Sequence, residues 1–427
     1  MLTNLYPSTM HIFTQLFLLA LGLGLLIQIW LLWRHKQHVS AHQDQVPAAF
    51  AGSVSLDEHQ KAANYTLARI KAARFELILG TLLILFWTLG GGLNWLHQAW
   101  ANTTLSSLPT GTAFILSAFL IMGLLDIPMS AWRTFTLEAR FGFNRTTPRR
   151  FIIDLLMQTG LMLLIGTPLI WVLLWIMGSV GPLWWLAAWV VWIAFTLVMT
   201  WAYPTFIAPL FNKFKPLENA ELQDRIQQLL TRCGFASNGI YVMDGSQRSS
   251  HGNAYFTGLG KSKRIVFFDT LLESLTAEEM EAVLAHELGH FKRKHVLKRM
   301  LTMSLTSLLG LALLGWLSQQ HWFYSALGMQ QISDAAALLL FMMVIPVFSQ
   351  FLQPLSSWLM RRQEFEADDY AIEQASPSAM IQALVKLYRE NANTLTPDPL
   401  YSAYHDSHPP APIRVNHIAA SMEASST

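Results

Sequence analysis

Seven long apolar segments constrain the fold of this chain more than any other feature of its sequence. Each is 18 to 27 residues long and contains at most one charged residue, which is enough helix to cross the roughly 30 Å hydrocarbon core of a bilayer. The segments are residues 11–33, 77–96, 112–132, 151–177, 183–203, 300–317 and 335–355. Only 13% of the residues are charged, against roughly 25% in soluble domains. We therefore predict an all-α integral membrane protein with about seven transmembrane helices.

The distribution of Lys and Arg predicts which way these helices cross. Four of the connecting or terminal segments contain neither residue, and they are residues 1–10, 97–111, 178–182 and 318–334. All 29 Lys and Arg residues lie in the alternating segments, which are residues 34–74, 133–150, 204–299 and the chain after 360. Cytoplasmic loops carry the excess of basic residues in membrane proteins. The N-terminus is thus expected outside and the C-terminus in the cytoplasm.

The first apolar segment is not expected to be a cleaved signal peptide, because residues 1–10 lack a basic region and the apolar run is too long. We divide the chain into residues 1–204 with five spans, 205–299 as a polar unit, 300–360 with two spans, and a C-terminal region at 361–427. Short strands are expected at 240–243 and 264–269, and a helix at 277–299.

The lone Cys233 excludes an internal disulfide and a cysteine-rich zinc site. No pattern for binding nucleic acid is present.

The polar unit contains the pentapeptide His-Glu-Leu-Gly-His at residues 286–290. On a helix, His286 and His290 project from one face, with the spacing that lets two imidazoles bind one Zn²⁺. Glu287 lies beside them and can act as a general base on a water molecule that the metal polarises. Thr276 and Glu279 form a capping-box pattern at the start of this helix. The alternative is a pair of surface histidines on an ordinary amphipathic helix, which the sequence disfavours.

A catalytic zinc site normally has a third protein ligand, and the best candidate follows the last apolar segment. Glu364 and Asp368 are four residues apart and would share one helix face. Glu364 could bind the metal while Asp368 accepts the free N–H of a zinc histidine. A solvated acidic helix start is an equally good reading of this spacing alone. Glu366 points about 200° away from Glu364 and is the weaker candidate ligand.

The pentapeptide, followed by Arg-Arg-x-Glu-Phe-x-Ala-Asp at residues 361–368, resembles the type I CAAX prenyl protease family. The members of this family are integral-membrane zinc endopeptidases of the gluzincin type. Further segments resemble the family in the same order along nearly the whole chain, and they are residues 128–147, 203–217, 251–256 and 401–410 together with Arg414. Because several motifs match in order, the resemblance is more specific than one motif would be.

The resemblance implies a barrel of seven helices around a large water-filled chamber, with one zinc ion near the cytoplasmic end. It implies that His286, His290 and Glu364 bind zinc and that Glu287 is the base. It also implies that Asn253 holds the substrate backbone. His408 and Arg414 would stabilise the developing oxyanion or position the substrate, for which cationic or donor groups are suited. The expected partners are a peptide or protein substrate and the lipid bilayer. His405 is a spare candidate for the role of His408.

Short outer loops and the lack of an endoplasmic-reticulum retrieval signal indicate a bacterial member in the inner membrane. For such a member, a prenylated Cys-a-a-X protein is not an expected substrate. Two other functions are alternatives. One is a membrane-protein quality-control protease like HtpX, which has fewer spans. The other is a non-catalytic seven-helix transporter or scaffold, which would bind no stoichiometric metal.

Overall fold

The computed structural model describes residues 10–257 and 262–425. Its N-terminal half consists of α1 (Ile12–Ala41), α2 (Leu56–Trp87), α3 (Gly92–Ala101), α4 (Ser107–Trp132), α5 (Ala139–Phe141), α6 (Pro148–Ser179), α7 (Trp184–Ala202) and α8 (Ala208–Phe211). Two π-helical segments, Arg133–Glu138 and Tyr203–Ile207, join α4 to α5 and α7 to α8. Single 3₁₀ turns lie at Ala48–Phe50, Gly245–Gln247 and Gln350–Leu352.

The C-terminal half begins with a small α/β unit and returns to helices. Its elements are β1 (Phe214–Pro216), α9 (Ala220–Cys233), β2 (Ala236–Met243), β3 (Ala254–Thr257), β4 (Ser262–Phe268), α10 (Asp269–Ser274), α11 (Ala277–Lys292), α12 (His295–Leu317), α13 (His321–Ser325), α14 (Asp334–Ser349), α15 (Gln353–Gln374), α16 (Pro377–Glu390), α17 (Pro399–His405) and α18 (Ala411–Ser425). The predicted strands at 240–243 and 264–269 thus fall within β2 and largely within β4.

Six continuous helices in the described part of the chain are long and apolar enough to cross a membrane. A seventh crossing results if α2 and α3 count as one span with a 46° bend. The bend lies inside the predicted segment 77–96, at a break of a few residues that includes Gly91 with a positive φ of 79°. The prediction of an all-α membrane protein with about seven spans is confirmed. The predicted domain boundary at 360 falls inside α15, and the domain division stays a prediction.

Two contacts of α1 place one connecting segment from each set at opposite ends of this helix. Near the start of α1, the Thr14 hydroxyl donates to the carbonyl of Ala326 at 2.7 Å, in a segment without Lys or Arg. Near its end, the Arg34 guanidinium pairs with Asp398 at 3.0 Å, in the basic C-terminal region. Twenty helical residues separate Thr14 from Arg34, or about 30 Å along the axis. For these two segments, the partition that the charges predict is also a separation in space.

The C-terminal half of α4 is loosely covered by the rest of the chain. In α4, four consecutive residues from Gly123 to Asp126 are all exposed. Because successive helical residues point about 100° apart, no side of α4 is closely covered at this height. This exposure is expected for a helix in the wall of a barrel, with lipid on one side and an open interior on the other.

The α/β unit is a four-stranded sheet in the order β1-β2-β4-β3. Strands β2 and β4 are parallel, and the two outer pairs are antiparallel. The sheet shares one apolar core with α9 and α11, which includes Ile226, Leu230, Ile265, Phe267, Leu284 and Leu288. Strand β3 is at the edge of the sheet, so one side of its backbone has no neighbouring strand among the described residues.

The prediction of one helix over 277–299 is wrong, because the helix breaks before its end. Helix α11 ends at Lys292, and α12 begins at His295. Between them Lys294 adopts φ 60°. This is the left-handed conformation, which residues other than glycine, asparagine and aspartate rarely adopt. Helical periodicity carries no signal for such a turn. The break separates the soluble helix α11 from the membrane helix α12.

Gly289 allows α11 to pack very closely on α15. A β-carbon at position 289 would lie 3.0 Å from Cα of Ala367 and 3.1 Å from its carbonyl oxygen. Glycine in a helix costs roughly 1 kcal/mol relative to alanine, and close contact between the two backbones explains why it is present. The packing places residue 286, residue 290 and residue 364 on facing helices.

We expect Gly289→Ala to lower the thermal unfolding midpoint of the detergent-solubilised protein. Overpacking typically costs about 1–3 kcal/mol, which outweighs the gain in helix propensity. The matched control is Gly310→Ala in α12, where the nearest atom to the added carbon, Cζ of Phe341, would be 3.8 Å away. That control should have a midpoint at or slightly above the wild-type value, because it gains helix propensity without overpacking. A Gly289→Ala protein as stable as the control would contradict the close approach.

Candidate metal centre

Helix α11 starts as the sequence predicts. The Thr276 hydroxyl accepts from the backbone N–H of Glu279, and the Glu279 carboxylate accepts from the backbone N–H of Thr276 at 2.8 Å. Lys386 of α16 also donates to the buried Glu279 carboxylate at 2.7 Å. This capping box fixes the first turn of the helix. His286 and His290 then lie on one face, with His286 buried and His290 partly buried.

Glu364 on α15 faces both histidines. Its Oε2 atom is 3.4 Å from Nε2 of His286, and its Oε1 atom is 3.4 Å from Nε2 of His290. One ligand atom from each of the three residues lies within 4.8 Å of the others. Two imidazole nitrogens and a carboxylate oxygen form the donor set of many catalytic zinc sites.

One oxygen of the Glu364 carboxylate lacks a hydrogen-bond partner among the described residues. This oxygen, Oε2, is buried. A buried polar atom without a partner costs about 1–3 kcal/mol, and more when it is charged. A cation held between Oε2 and the two imidazoles would remove that cost. The residues present thus fit a metal ion.

Asp368 and Arg414 lie on the Nδ1 side of His286, opposite the nitrogen that faces Glu364. The Asp368 Oδ1 atom is 2.8 Å from Nδ1 of His286, so the imidazole N–H points to the carboxylate and Nε2 is left for the metal. Arg414 donates to the same carboxylate from Nε at 2.8 Å and from Nη2 at 2.5 Å. Asp368 is fully buried and Arg414 is 7% exposed. The main described contacts of Arg414 therefore go to Asp368, and its predicted contact with substrate stays a prediction.

The electrostatics of the cluster favour positive charge at His286. Burial and the nearby Arg414 guanidinium lower the pKa of His286. The Asp368 and Glu364 carboxylates outweigh both effects and raise this pKa to about 9. Carboxylates that stabilise a proton on His286 also stabilise a metal cation in its place.

Glu287 is half-buried and stands apart from this network. Among the described residues, neither a hydrogen bond nor an ion pair engages its carboxylate. The Asp368 carboxylate, by contrast, binds His286 and Arg414, and the Glu364 carboxylate lies within ion-pair distance of both histidines. The geometry thus leaves Glu287 available to accept a proton.

His408 comes from the loop between α17 and α18 and borders the same cluster. Its Nε2 atom is 3.4 Å from Oε1 of Glu364, and 64% of its side chain is exposed. It lines a cavity of about 410 Å³ together with His405. His405 packs on Tyr401 and Tyr404, and no described contact joins it to the cluster. His408 can therefore touch a bound molecule and the metal site at once.

Asn253 lies elsewhere, at the start of the edge strand β3. Its side-chain oxygen accepts from the backbone N–H of Ala254 at 2.8 Å, and its own carbonyl accepts from Phe268 at 3.0 Å. It lines a second cavity of about 860 Å³, which shares Arg69 and Asn393 with the smaller one. The two cavities are thus neighbours. No described contact links Asn253 to the metal cluster.

Sequence reasoning missed His295, the first residue of α12. It is 1% exposed, and its Nδ1 atom is 3.0 Å from Nδ1 of His290. Its other ring nitrogen is 3.0 Å from Oε2 of Glu366. The signal was a third histidine five residues after the pentapeptide, but a continuous helix over 277–299 would have turned it away from His290.

Two family models match this chain. One, described as CAAX prenyl protease N-terminal, five membrane helices, covers residues 35–213. The other, described as Peptidase family M48, covers residues 216–422. The second model contains the three clustered side chains and His408.

Several curated proteins and a solved structure are similar to this chain over most of its length. CAAX prenyl protease 1 of Saccharomyces cerevisiae is 32% identical over 88% of both chains. The homologue from Arabidopsis thaliana is 32% identical over 87% of this chain and 90% of its own. The crystal structure of S. mikatae Ste24p superposes with a TM-score of 0.89 at 30% identity and covers 96% of this chain and 99% of that one.

These matches extend over the membrane helices and the soluble unit together, so they concern the whole architecture. A transporter or scaffold without enzymatic activity is not retained, because the family is one of peptidases with a metal cofactor. The chain belongs to peptidase family M48, and within it to the integral-membrane metallopeptidases of the CAAX prenyl protease type.

Proposed function

We propose that this metallopeptidase uses one Zn²⁺ ion held by His286, His290 and Glu364. The observation that carries the proposal is the convergence of these three side chains around an unpartnered, buried carboxylate oxygen. Two nitrogens and one oxygen suit zinc, and a catalytic zinc keeps a fourth position open. When bound, the metal supplies a Lewis acid that polarises the scissile carbonyl and acidifies water.

The protein side chains divide the remaining work of peptide hydrolysis. Glu287 accepts the proton of the attacking water as the bond from oxygen to the carbonyl carbon forms. It then passes that proton to the amine nitrogen as the C–N bond breaks. His408, exposed beside Glu364, can donate a hydrogen bond to the oxygen on which negative charge develops. Asp368 keeps the His286 ring in the orientation that directs Nε2 to the metal.

Substrate binding is assigned to the edge strand and the cavities beside it. An extended peptide can add to an exposed sheet edge by main-chain hydrogen bonds, and β3 offers such an edge next to Asn253. The substrate class is a protein or peptide segment in extended form. The relatives are named CAAX prenyl proteases, but a prenylated protein is not an expected substrate of a bacterial member. The assay below therefore compares a farnesylated peptide with an unmodified one.

We further propose that the end of the barrel with the metal centre faces the cytoplasm. The support is the grouping of the basic segments at that end of α1 and the positive-inside rule. The short connections at the opposite end agree with the predicted placement in a bacterial inner membrane.

Glu364→Ala should remove most of the zinc from the purified protein, because two protein ligands hold zinc poorly against a chelator. Metal analysis of the dialysed sample measures the loss. The control is Glu373→Ala on the same helix, where the side chain is exposed, and it should keep one zinc per chain. Full zinc content in the Glu364→Ala protein would show that another residue is the third ligand.

Glu287→Gln should keep the zinc but lose about 10²- to 10⁴-fold in cleavage rate, the usual contribution of a general base. The amide has the same shape but cannot accept the proton. The assay uses two quenched-fluorescent peptides, one ending in a farnesylated Cys-a-a-X sequence and one unmodified. Glu278→Gln, at an exposed position in the first turn of α11, is the control. Wild-type cleavage by zinc-loaded Glu287→Gln protein would refute the mechanism.

The orientation can be tested by thiol labelling in intact cells. Starting from a Cys233→Ala background, single cysteines are introduced by Glu218→Cys beside β1 and by Thr104→Cys between α3 and α4, both at exposed positions. We expect a membrane-impermeant maleimide to label the cysteine at 104 and not the one at 218. After the membrane is permeabilised, both should react. Labelling of position 218 alone in intact cells would reverse the orientation.

A further inference from the structure

Two buried or half-buried groups next to the metal centre have no part in the mechanism above. The His295 ring lies between His290 and Glu366, with 3.0 Å contacts on both sides. It is 1% exposed, whereas the Glu366 side chain is 36% exposed and also lies 3.6 Å from Nε of Arg362. The side chains of His290, His295 and Glu366 thus form a continuous line of contacts that leads away from the other two metal-ligand candidates.

The protons along this line have only one consistent arrangement with neutral rings. Nε2 of His290 faces Glu364 and is the atom that would bind the metal, so the His290 proton must be on Nδ1. That N–H points to Nδ1 of His295, which must therefore accept. The His295 proton is then on Nε2, where it donates to Glu366. Each contact fixes the tautomer required by the next one.

The backbone is shaped to bring His295 into this position. On a continuous helix, a residue five places after His290 would point about 140° away from it. The left-handed turn at Lys294 (φ 60°) interrupts the helix, and α12 restarts with His295 beside His290. Backbone conformations of this kind are costly and cluster at functional sites.

The far end of the line, Glu366, comes from α15. Glu364 and Glu366 point about 200° apart on that helix, so one carboxylate faces the two zinc-binding candidates and the other faces the start of α12. One short stretch of α15 therefore supplies the third ligand and the end of the His290–His295–Glu366 line.

We propose that His295 and Glu366 are positioning residues that fix the ring orientation and the tautomer of His290 for metal binding. The proposal rests on the proposed role of His290 as a ligand. Asp368 does the same for His286 by direct contact. Each metal-binding histidine then has its own carboxylate, one directly and one through an intervening imidazole.

The test measures the zinc dissociation constant by chelator competition and the visible spectrum of the Co²⁺-substituted protein, so it does not depend on activity. His295→Phe keeps a buried ring of similar size but cannot accept from His290. We expect its zinc affinity to fall about 10- to 100-fold, as for loss of other groups that orient a metal ligand. The Co²⁺ absorption bands should shift in the same variant.

Glu366 provides a second set of variants at a half-exposed position. Glu366→Leu should weaken zinc binding in the same direction but less than His295→Phe. Glu366→Gln keeps an oxygen that accepts from His295, and it should restore the affinity to near the wild-type value. Glu366→Gln and Glu366→Leu proteins with equal affinities would contradict the proposed hydrogen bond.

The matched control is a second His–carboxylate pair, formed between α18 and α15. Nε2 of His417 lies 2.7 Å from Oδ1 of Asp369 on α15, and no described contact joins this pair to the metal ligands. His417→Phe should leave the zinc affinity and the Co²⁺ spectrum unchanged. A His295→Phe protein with lowered thermal stability but wild-type zinc affinity and Co²⁺ spectrum would overturn the proposal.

The outcomes also separate this proposal from the proposed function. If the wild type and Glu364→Ala bind equally little zinc, the assignment of the metal site fails. If the wild type binds one zinc and Glu364→Ala loses it, while His295→Phe binds like the wild type, only the role of His295 and Glu366 fails.

Discussion

The close contact between α11 and α15 is the constraint on which the rest of the site depends. The chain leaves α11, enters the membrane in α12, returns in α14 and only then forms α15. The two histidines and Glu364 thus meet only if both membrane helices deliver α15 to the right place. Gly289 sets the distance at which the two backbones meet. Interiors are packed as densely as crystals, so a shift of a few tenths of an ångström there would reach all three side chains.

Buried charge gives the site its second property, a fixed arrangement. Asp368 and Arg414 are buried together, and Glu364 lies 3.8 Å from the same guanidinium. Removing one partner of such a pair typically costs about 3–5 kcal/mol, because the other charge is left buried alone. Arg414 therefore stabilises the orientation of Asp368, and through it that of His286. The exposed His408 and the uncommitted Glu287 lie at the border of this rigid network, where a substrate can reach them.

The sequence predicted most of the architecture, because membrane spans, basic loops and the His-x-x-x-His spacing are properties of short segments. The preference for Glu364 over Glu366 as third ligand rested on helical spacing together with the family resemblance, and it stays a prediction. The left-handed conformation of Lys294 could not be predicted, since such a lysine has no local sequence signature. The contact between His290 and His295 was missed for the same reason. Two further features depend on how separate elements pack. They are the separation of Asn253 from the metal cluster and the contact of Arg414 with Asp368. Periodicity within one element carries no information on that packing.

His295 belongs to two environments at once. It is the first residue of the membrane helix α12 and also the ring that contacts His290. Membrane helices respond to bilayer thickness by tilting, and a tilt of α12 moves its first residue with the rest of the helix. The lipid composition around the protein is therefore mechanically connected to the geometry at His290, although the metal centre itself is built outside the apolar spans.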